Sequence, residues 1–297
     1  MSTVFKELGI RKAEAGDIGL EIEVEGARLP RLADYWRNET DGSLKGEESM
    51  EYVLAKPGKL EDVRKALDYL ELCYRSCGSR VDDTVRAGVH VHINCQHLSM
   101  TELYNFITVY LIVENLLVKW CGEFREGNLF CLRACDAEWM LDVLRIAAKD
   151  NKKQFRARFH RDELRYASMN LKALGDYGSL EFRAMRGTRD LDLIYQWAET
   201  LYGLREFAKT FEKPSDIIEQ FSMGGAENFL ERALGANKDM FMCDQYMDLL
   251  WRGIRNAQDV AYCTDWREFE PKMKKIGNLE FPENMPNNLI NEPMEDF

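Results

Sequence analysis

Val89-His90-Val91-His92-Ile93-Asn94 alternates apolar and polar side chains with a period of two. Successive strand residues point to opposite faces, so the stretch sorts into a buried row of Val89, Val91 and Ile93 and a polar row of His90, His92 and Asn94. Three other stretches read the same way: Leu20-Glu21-Ile22-Glu23-Val24-Glu25, Met50-Glu51-Tyr52-Val53-Leu54 and Leu180-Glu181-Phe182-Arg183-Ala184. If the four strands share a sheet, one face gathers Glu21, Glu23, Glu25, Glu51, His90, His92, Asn94, Glu181 and Arg183. Carboxylates and neutral imidazoles bind hard or borderline divalent cations, and a guanidinium suits an anion such as phosphate. Such a face is where a metal-nucleotide site could be built.

Each part has a plainer reading. Three alternate glutamates suit the solvated face of an antiparallel strand, and Glu181 with Arg183 suits a surface ion pair worth about 0–1 kcal/mol. The coincidence of all four strands, with two of the four histidines on one strand face, favours a functional cleft.

Outward from these strands the chain reads as α+β, with strands and helices mixed in the first two thirds and helices dominating afterwards. Tyr35 to Thr40 and Glu48 to Ala55 flank Asp41-Gly42 as hairpin arms, and Pro57-Gly58 stops the second arm. From Leu60, Val63, Leu67, Leu70, Tyr74 and Cys77 recur at helical spacing before Gly78. Thr101 to Trp120, Asp136 to Ala148, Leu191 to Thr210, Ser215 to Phe221, Glu227 to Leu234 and Cys243 to Tyr262 read as helices, and Tyr166 to Leu171 as a strand. From about Pro271, proline and asparagine predict an extended tail.

Of the 297 residues, 45% are hydrophobic and 31% charged, which fits a folded globular chain. A net charge of −11 disfavours a broad phosphate-backbone interface with nucleic acid. The first twenty residues mix Lys6, Glu7, Arg11, Lys12, Glu14 and Asp17, which is unlike a signal peptide and leads us to expect a cytoplasmic protein. Phe106 to Trp120 is broken by Glu114, Asn115 and Lys119 and reads as a buried helix rather than a membrane span. The eight cysteines are scattered and read as reduced thiols. Cys73/Cys77 and Cys131/Cys135 have a spacing compatible with zinc, but on a helix that spacing simply places both residues on one face.

Gly19-Leu20-Glu21-Ile22-Glu23, Trp36 with Asp41-Gly42-Ser43-Leu44, Glu51 before Pro57, Gly88-Val89-His90-Val91-His92, and Asn170 with Glu181-Phe182-Arg183 and Gly187-Thr188 follow one another over about residues 16–210. In that order they resemble the motifs of the amidoligases, carboxylate-amine ligases of bacteria and bacteriophages with a glutamine synthetase-like catalytic domain. Ala87 stands where many relatives have a cysteine, and the hairpin loop carries extra acids at Glu47 and Glu48.

The resemblance implies a curved antiparallel sheet backed by helices over residues 1–211, followed by a helical C-terminal extension and tail over 212–297. It implies ATP and two or three Mg²⁺ ions, replaceable by Mn²⁺, on the concave face. By motif, Glu23 and Glu51 would hold one metal and Glu21, His92 and Glu181 the other. His90 would contact phosphate or substrate from the same basin. Arg183 and Arg186 would meet the ATP phosphates, with Arg125, Arg161 and Arg189 as further phosphate or substrate contacts.

The chemistry of such a ligase follows from its reactants. A carboxylate resists attack by an amine until phosphorylation supplies a better leaving group. Bringing two anions together calls for divalent cations and arginines on the developing charge. The amine must attack in its neutral form, and a carboxylate free of metal, with Asp41, Glu47 and Glu48 as candidates, could take its proton. Arg183, Glu51 and Asp41 are accordingly the catalytic candidates, with a small-molecule or peptide acid and an amine as partners. Three rival readings remain: a zinc hydrolase built on His90, His92 and a carboxylate, a guanidino-phosphate kinase, and a non-catalytic nucleotide-binding protein.

Overall fold

The computed structural model describes residues 2–148, 152–265, 273–276 and 279–282. Its centre is a mixed sheet-and-helix architecture: a seven-stranded antiparallel sheet backed on one face by helices and followed by a helical C-terminal region.

A short helix, α1 (Val4–Leu8), precedes β1 (Ile18–Ala27), whose alternation puts Ile18, Leu20, Ile22 and Val24 in the core. The hairpin arms follow as β2 (Trp36–Glu39) and β3 (Glu48–Leu54), joined by a loop that is longer than a two-residue turn. Within it the Ser43 amide donates to Asp41 Oδ1 at 2.7 Å, a local Asx turn. α2 (Leu60–Cys77) buries Val63, Ala66, Leu67, Leu70 and Tyr74 and ends at Gly78, whose φ of 59° is left-handed. Cys77, grouped with that face on spacing, is exposed instead, because the helix has turned to solvent by its last residue. The Trp36 indole donates to Ala66 O at 3.0 Å and ties the hairpin to α2.

β4 (Arg80–Val81) pairs briefly with β1, and β5 (Gly88–Asn94) then lies along it. α3 (Met100–Trp120) starts at a capping box in which Ser99 and Glu102 satisfy each other's backbone amides. Buried on all sides from Leu103 to Val118, with Asn105, Thr108, Glu114 and Asn115 among its apolar residues, it runs through the core. After α4 (Glu138–Ala147) and α5 (Lys152–Arg158), the strand expected over 166–171 shrinks to β6 (Met169–Asn170), since Asp162–Tyr166 winds into a 3-10 turn. α6 (Lys172–Tyr177) ends at Gly178 (φ 73°) and leads into β7 (Ser179–Arg186).

Spatially the sheet runs β2-β3-β1-β5-β7-β6, with β4 beside β1, so the four alternating stretches are consecutive neighbours. Their apolar row packs on α2, α3 and α7 (Leu191–Ala208); Phe106 and Tyr110 of α3 meet Phe182 of β7 at 5.7 and 4.7 Å between ring centroids. α8 (Pro214–Gly224), α9 (Ala226–Leu234), α10 (Lys238–Phe241) and α11 (Tyr246–Asp265) complete the helical region. α11 lies against α3 at close range: a Cβ on Gly253 would sit 2.2 Å from Ile112 O. In the C-terminal stretch read as an extended tail, β8 (Met273–Ile276) and β9 (Leu279–Pro282) form an antiparallel pair; the rest of that reading lies outside the described residues.

Candidate functional site

Antiparallel register decides which polar side chains meet. Glu21 pairs with His90 and Gly19 with His92 across β1 and β5, His92 pairs with Glu181 across β5 and β7, and Glu23 pairs with Glu51 across β1 and β3. Cross-strand partners lie close enough for their side chains to interact, so Glu21, Glu23, Glu51, His90, His92, Glu181 and Arg183 share one basin on the face away from the helices. Gly19 keeps it compact, since a Cβ there would lie 3.2 Å from His92 Cβ.

One atom each from Glu21, His92 and Glu181 lies within 4.8 Å of the others. His92 Nε2 stands 3.3 Å from Glu21 Oε1 and 4.0 Å from Glu181 Oε2, is buried, and makes no hydrogen bond. Its Nδ1 is 3.1 Å from Ser179 Oγ. In the tautomer that donates from Nδ1 to that hydroxyl, Nε2 turns its lone pair toward the two carboxylates. Asn170 Nδ2 in turn donates to Glu181 Oε2 and orients it. An orphaned imidazole nitrogen facing two oriented carboxylates is a donor set that fits a divalent cation.

His90 faces the same basin differently. Its Nδ1 is 3.2 Å from Glu21 Oε2 and 3.6 Å from Glu181 Oε1, and its Nε2 is 3.8 Å from Glu23 Oε1. Arg183 forms an ion pair with Glu181 and reaches His90 Nδ1 at 3.5 Å. The Gly88 amide donates to Glu23 Oε2 at 2.7 Å. A Cβ on Gly88 would sit 3.1 Å from His90 Nε2 and 3.4 Å from both Glu23 Oε2 and Arg125 Nη2, so a larger residue there would press these side chains apart by a few tenths of an ångström.

The electrostatics follow from this crowding. Burial works to raise Glu21, but the imidazoles of His90 and His92 outweigh it and hold the carboxyl far below its usual range. Burial likewise opposes Glu181, yet His92, Arg183 and His90 together lower it. His92 is raised, because Glu21 and Glu181 overcome its burial. Glu23 is raised by burial. Glu51, half-buried, is pushed up to about 7 by burial and by the charges of Glu21, Glu23, Asp41 and Glu39. Asp41 also lies beside Glu23; burial works against its ionisation, but Ser43 and the Glu23 side chain lower it. Carboxylates pressed together in this way, with no basic partner for Glu51 among the described residues, are relieved by a divalent cation.

Several side chains that the sequence places in or near the basin do other work. Glu25 accepts from the Lys45 and Gly46 amides and clamps the hairpin loop. Asn94 donates to Glu14 O and Gly16 O at 3.0 and 2.8 Å and fastens the segment before β1. Arg161 pairs with Glu163 at the surface, and Arg189 pairs with Glu71 of α2 over the Tyr74 ring, so their charges are already taken by neighbours. The loop acids Glu47 and Glu48 are exposed, and Glu48 accepts from the Leu29 amide. Among the described residues neither cysteine pair joins a ligand cluster, and the Cys131 thiol donates to Arg125 O and that of Cys135 to Asn115 Oδ1.

Arg125, expected on phosphate, is buried and serves the backbone. Its Nε donates to Ala184 O at 2.8 Å and its Nη2 to Arg183 O at 2.6 Å. Those two carbonyls mark an irregularity: Val91 pairs with Phe182 but Val89 with Met185, so β7 advances three residues while β5 advances two. This β-bulge opposite His90 shifts the alternation by one. Met185 therefore turns into the core with Phe182, and Arg186 joins Arg183 on the basin side, opposite Gly88. Sequence reading misses the bulge, since no glycine or proline marks it. It also leaves out Ser179, whose position two residues before Glu181 puts it on the same strand face.

The pattern that defines the family described as "Putative amidoligase enzyme" matches residues 53–204, just over half of the chain. No curated protein matches the chain. The matched stretch carries His90, His92, Glu181 and Arg183, while Glu21, Glu23 and Glu51 lie before it and reach the same basin only through the sheet register. This chain belongs to the amidoligase family.

Proposed function

We propose that the protein is an ATP- and Mg²⁺-dependent carboxylate-amine ligase that makes an amide bond through an acyl phosphate, on a glutamine synthetase-like catalytic sheet. The observation that carries this reading is the convergence of Glu21, His92 and Glu181 on one point, with the Glu23–Glu51 pair beside it and Arg183 across from it. One imidazole with an unused lone pair among four carboxylates is a hard, oxygen-rich donor set that suits Mg²⁺ better than zinc, which disfavours the hydrolase.

In this reading Glu21, His92 and Glu181 hold one ion and Glu23 with Glu51 holds another. Bound there, the ions supply charge neutralisation along the ATP phosphates. Arg183 and Arg186, brought to one side by the bulge, take the charge that builds on the transferred phosphoryl group. His90, hemmed in by Glu21, Glu23 and Glu181, orients those carboxylates and lies within reach of phosphate. On the hairpin side Asp41 is held ionised, and in this reading it accepts the proton of an attacking amine.

The test is calorimetric binding of a non-hydrolysable ATP analogue with Mg²⁺ present and then removed. Mg²⁺-dependent binding that is lost in Glu23→Gln is expected, followed by release of ADP and phosphate when acid-amine pairs are screened. A protein that retains zinc and binds no nucleotide would be a hydrolase instead.

A further inference from the structure

Beyond the basin, a cavity of about 120 Å³ opens where the end of α3, the first turn of α7 and the end of β7 meet. Trp120, Cys121, Met185, Arg186, Thr188 and Leu193 line it. We infer that this cavity receives the purine base of the nucleotide, an assignment that rests on the ATP-dependent reading above and specifies which part of ATP goes where.

Size is the first argument. A cavity of about 150 Å³ accommodates a benzene ring, whereas pockets that enclose whole drug-sized ligands run to about 300–1,000 Å³. At about 120 Å³ this one is smaller still, so it can take the inserted edge of a flat ring system through its mouth, with the rest of the ring, the sugar and the phosphates outside. Its walls suit such an occupant. The Trp120 ring is fixed by stacking on buried Trp197 (5.7 Å between centroids, 14° between planes) and by the edge of Phe241 at 5.1 Å, so it offers a rigid aromatic surface. Met185 and Leu193 supply an apolar lining that adapts to a flat ring. Thr188 Oγ1 accepts from the Asp190 amide at 3.1 Å, which leaves its hydroxyl proton to donate to a ring nitrogen.

Position is the second argument. Arg186 lines the cavity and pairs in register with Gly88, and Gly88 borders the basin against His90 and Glu23. Its guanidinium lies over the loop at Gly122, where a Cβ would come within 3.1 Å of Nη1, and it has no ion-pair partner among the described residues. A free guanidinium between an apolar slot and a cation-binding basin stands where phosphate must pass if the base occupies the slot and the terminal phosphate the basin.

Two ligands separate the base from the phosphates: adenylyl imidodiphosphate and inorganic tripolyphosphate, each titrated calorimetrically in Mg²⁺ into the wild type, Leu193→Phe and Thr188→Val. Leu193→Phe fills the cavity and is expected to weaken the nucleotide analogue by about tenfold or more while leaving tripolyphosphate within about twofold. Thr188→Val, nearly isosteric and checked by an unchanged melting temperature, should weaken the analogue by about threefold or more and decides the matter if Leu193→Phe does not fold. Undiminished analogue binding in a folded variant would place the base elsewhere and overturn the inference while the nucleotide reading stands. If neither ligand binds the wild type, both fall.

Discussion

His92 Nε2 is the atom on which the basin turns, because it is buried, lacks a hydrogen bond and faces Glu21 and Glu181. Replacing His92 with Ala, or Glu181 with Gln, should weaken Mn²⁺ binding by about 10–100-fold, as read by the paramagnetic resonance of the free ion, with little change in melting temperature. Unchanged Mn²⁺ affinity in both would remove the metal from this trio. Gly88 is the opposite case, a residue that matters for what it lacks. In Gly88→Ala the methyl group would press on His90 and Glu23, so we expect a folded protein whose Mg²⁺-dependent nucleotide binding falls by about tenfold; binding at wild-type strength would show that the floor yields.

Among the elements, α3 carries the most consequence, since a fully buried carboxyl sits in its middle. Glu114 accepts from the Ala134 amide at 2.8 Å and from Ser168 Oγ, and burial pushes its pKa up to about 7. Below pH 4.5 the group is protonated in both folded and unfolded chains; from there to about 7 only the folded chain keeps the proton. Stability from this group is therefore largest at low pH and declines as pH rises through that window, by an amount on the order of 1–3 kcal/mol. Glu114→Gln should flatten the fall in melting temperature between pH 5 and pH 8 (about 3 pH units) relative to wild type. An equal fall in both proteins would show that Glu114 is ionised in the fold. The α3–α11 contact makes a second prediction: Gly253→Ala drives a methyl into the backbone of α3 and should cost about 1–3 kcal/mol in chemical denaturation.

Over the whole molecule, α11 contributes Leu250, Ile254, Ala257, Val260 and Ala261 to the same core that α3 and the sheet build. A chain ending at residue 211 would expose the α3 surface that α11 covers, and we expect it to be insoluble or to melt far below the full chain; a soluble, cooperative fragment would refute this. The sheet and basin were legible because period-two alternation sorts residues by face, and burial on one face enforces the same sorting in space. From sequence alone the four stretches could therefore be sorted into a polar and an apolar face; which strand lies beside which is set by the structure. Fates that hang on local geometry were not legible: Glu25, Asn94 and Arg125 carry the right chemistry in or near the right pattern, yet backbone groups claim them first. The bulge on β7 was invisible for the same reason, and it leaves the site dependent on the local shape of the strand as well as on composition. Arg183 and Arg186 are three residues apart and would face opposite ways on a regular strand, so straightening the bulge with every residue retained would send Arg186 toward the core. Between Glu181 and Arg186 the residue count and the shape of the strand are thus one property: either the bulge, or a strand one residue shorter and without it, puts both arginines on the basin face.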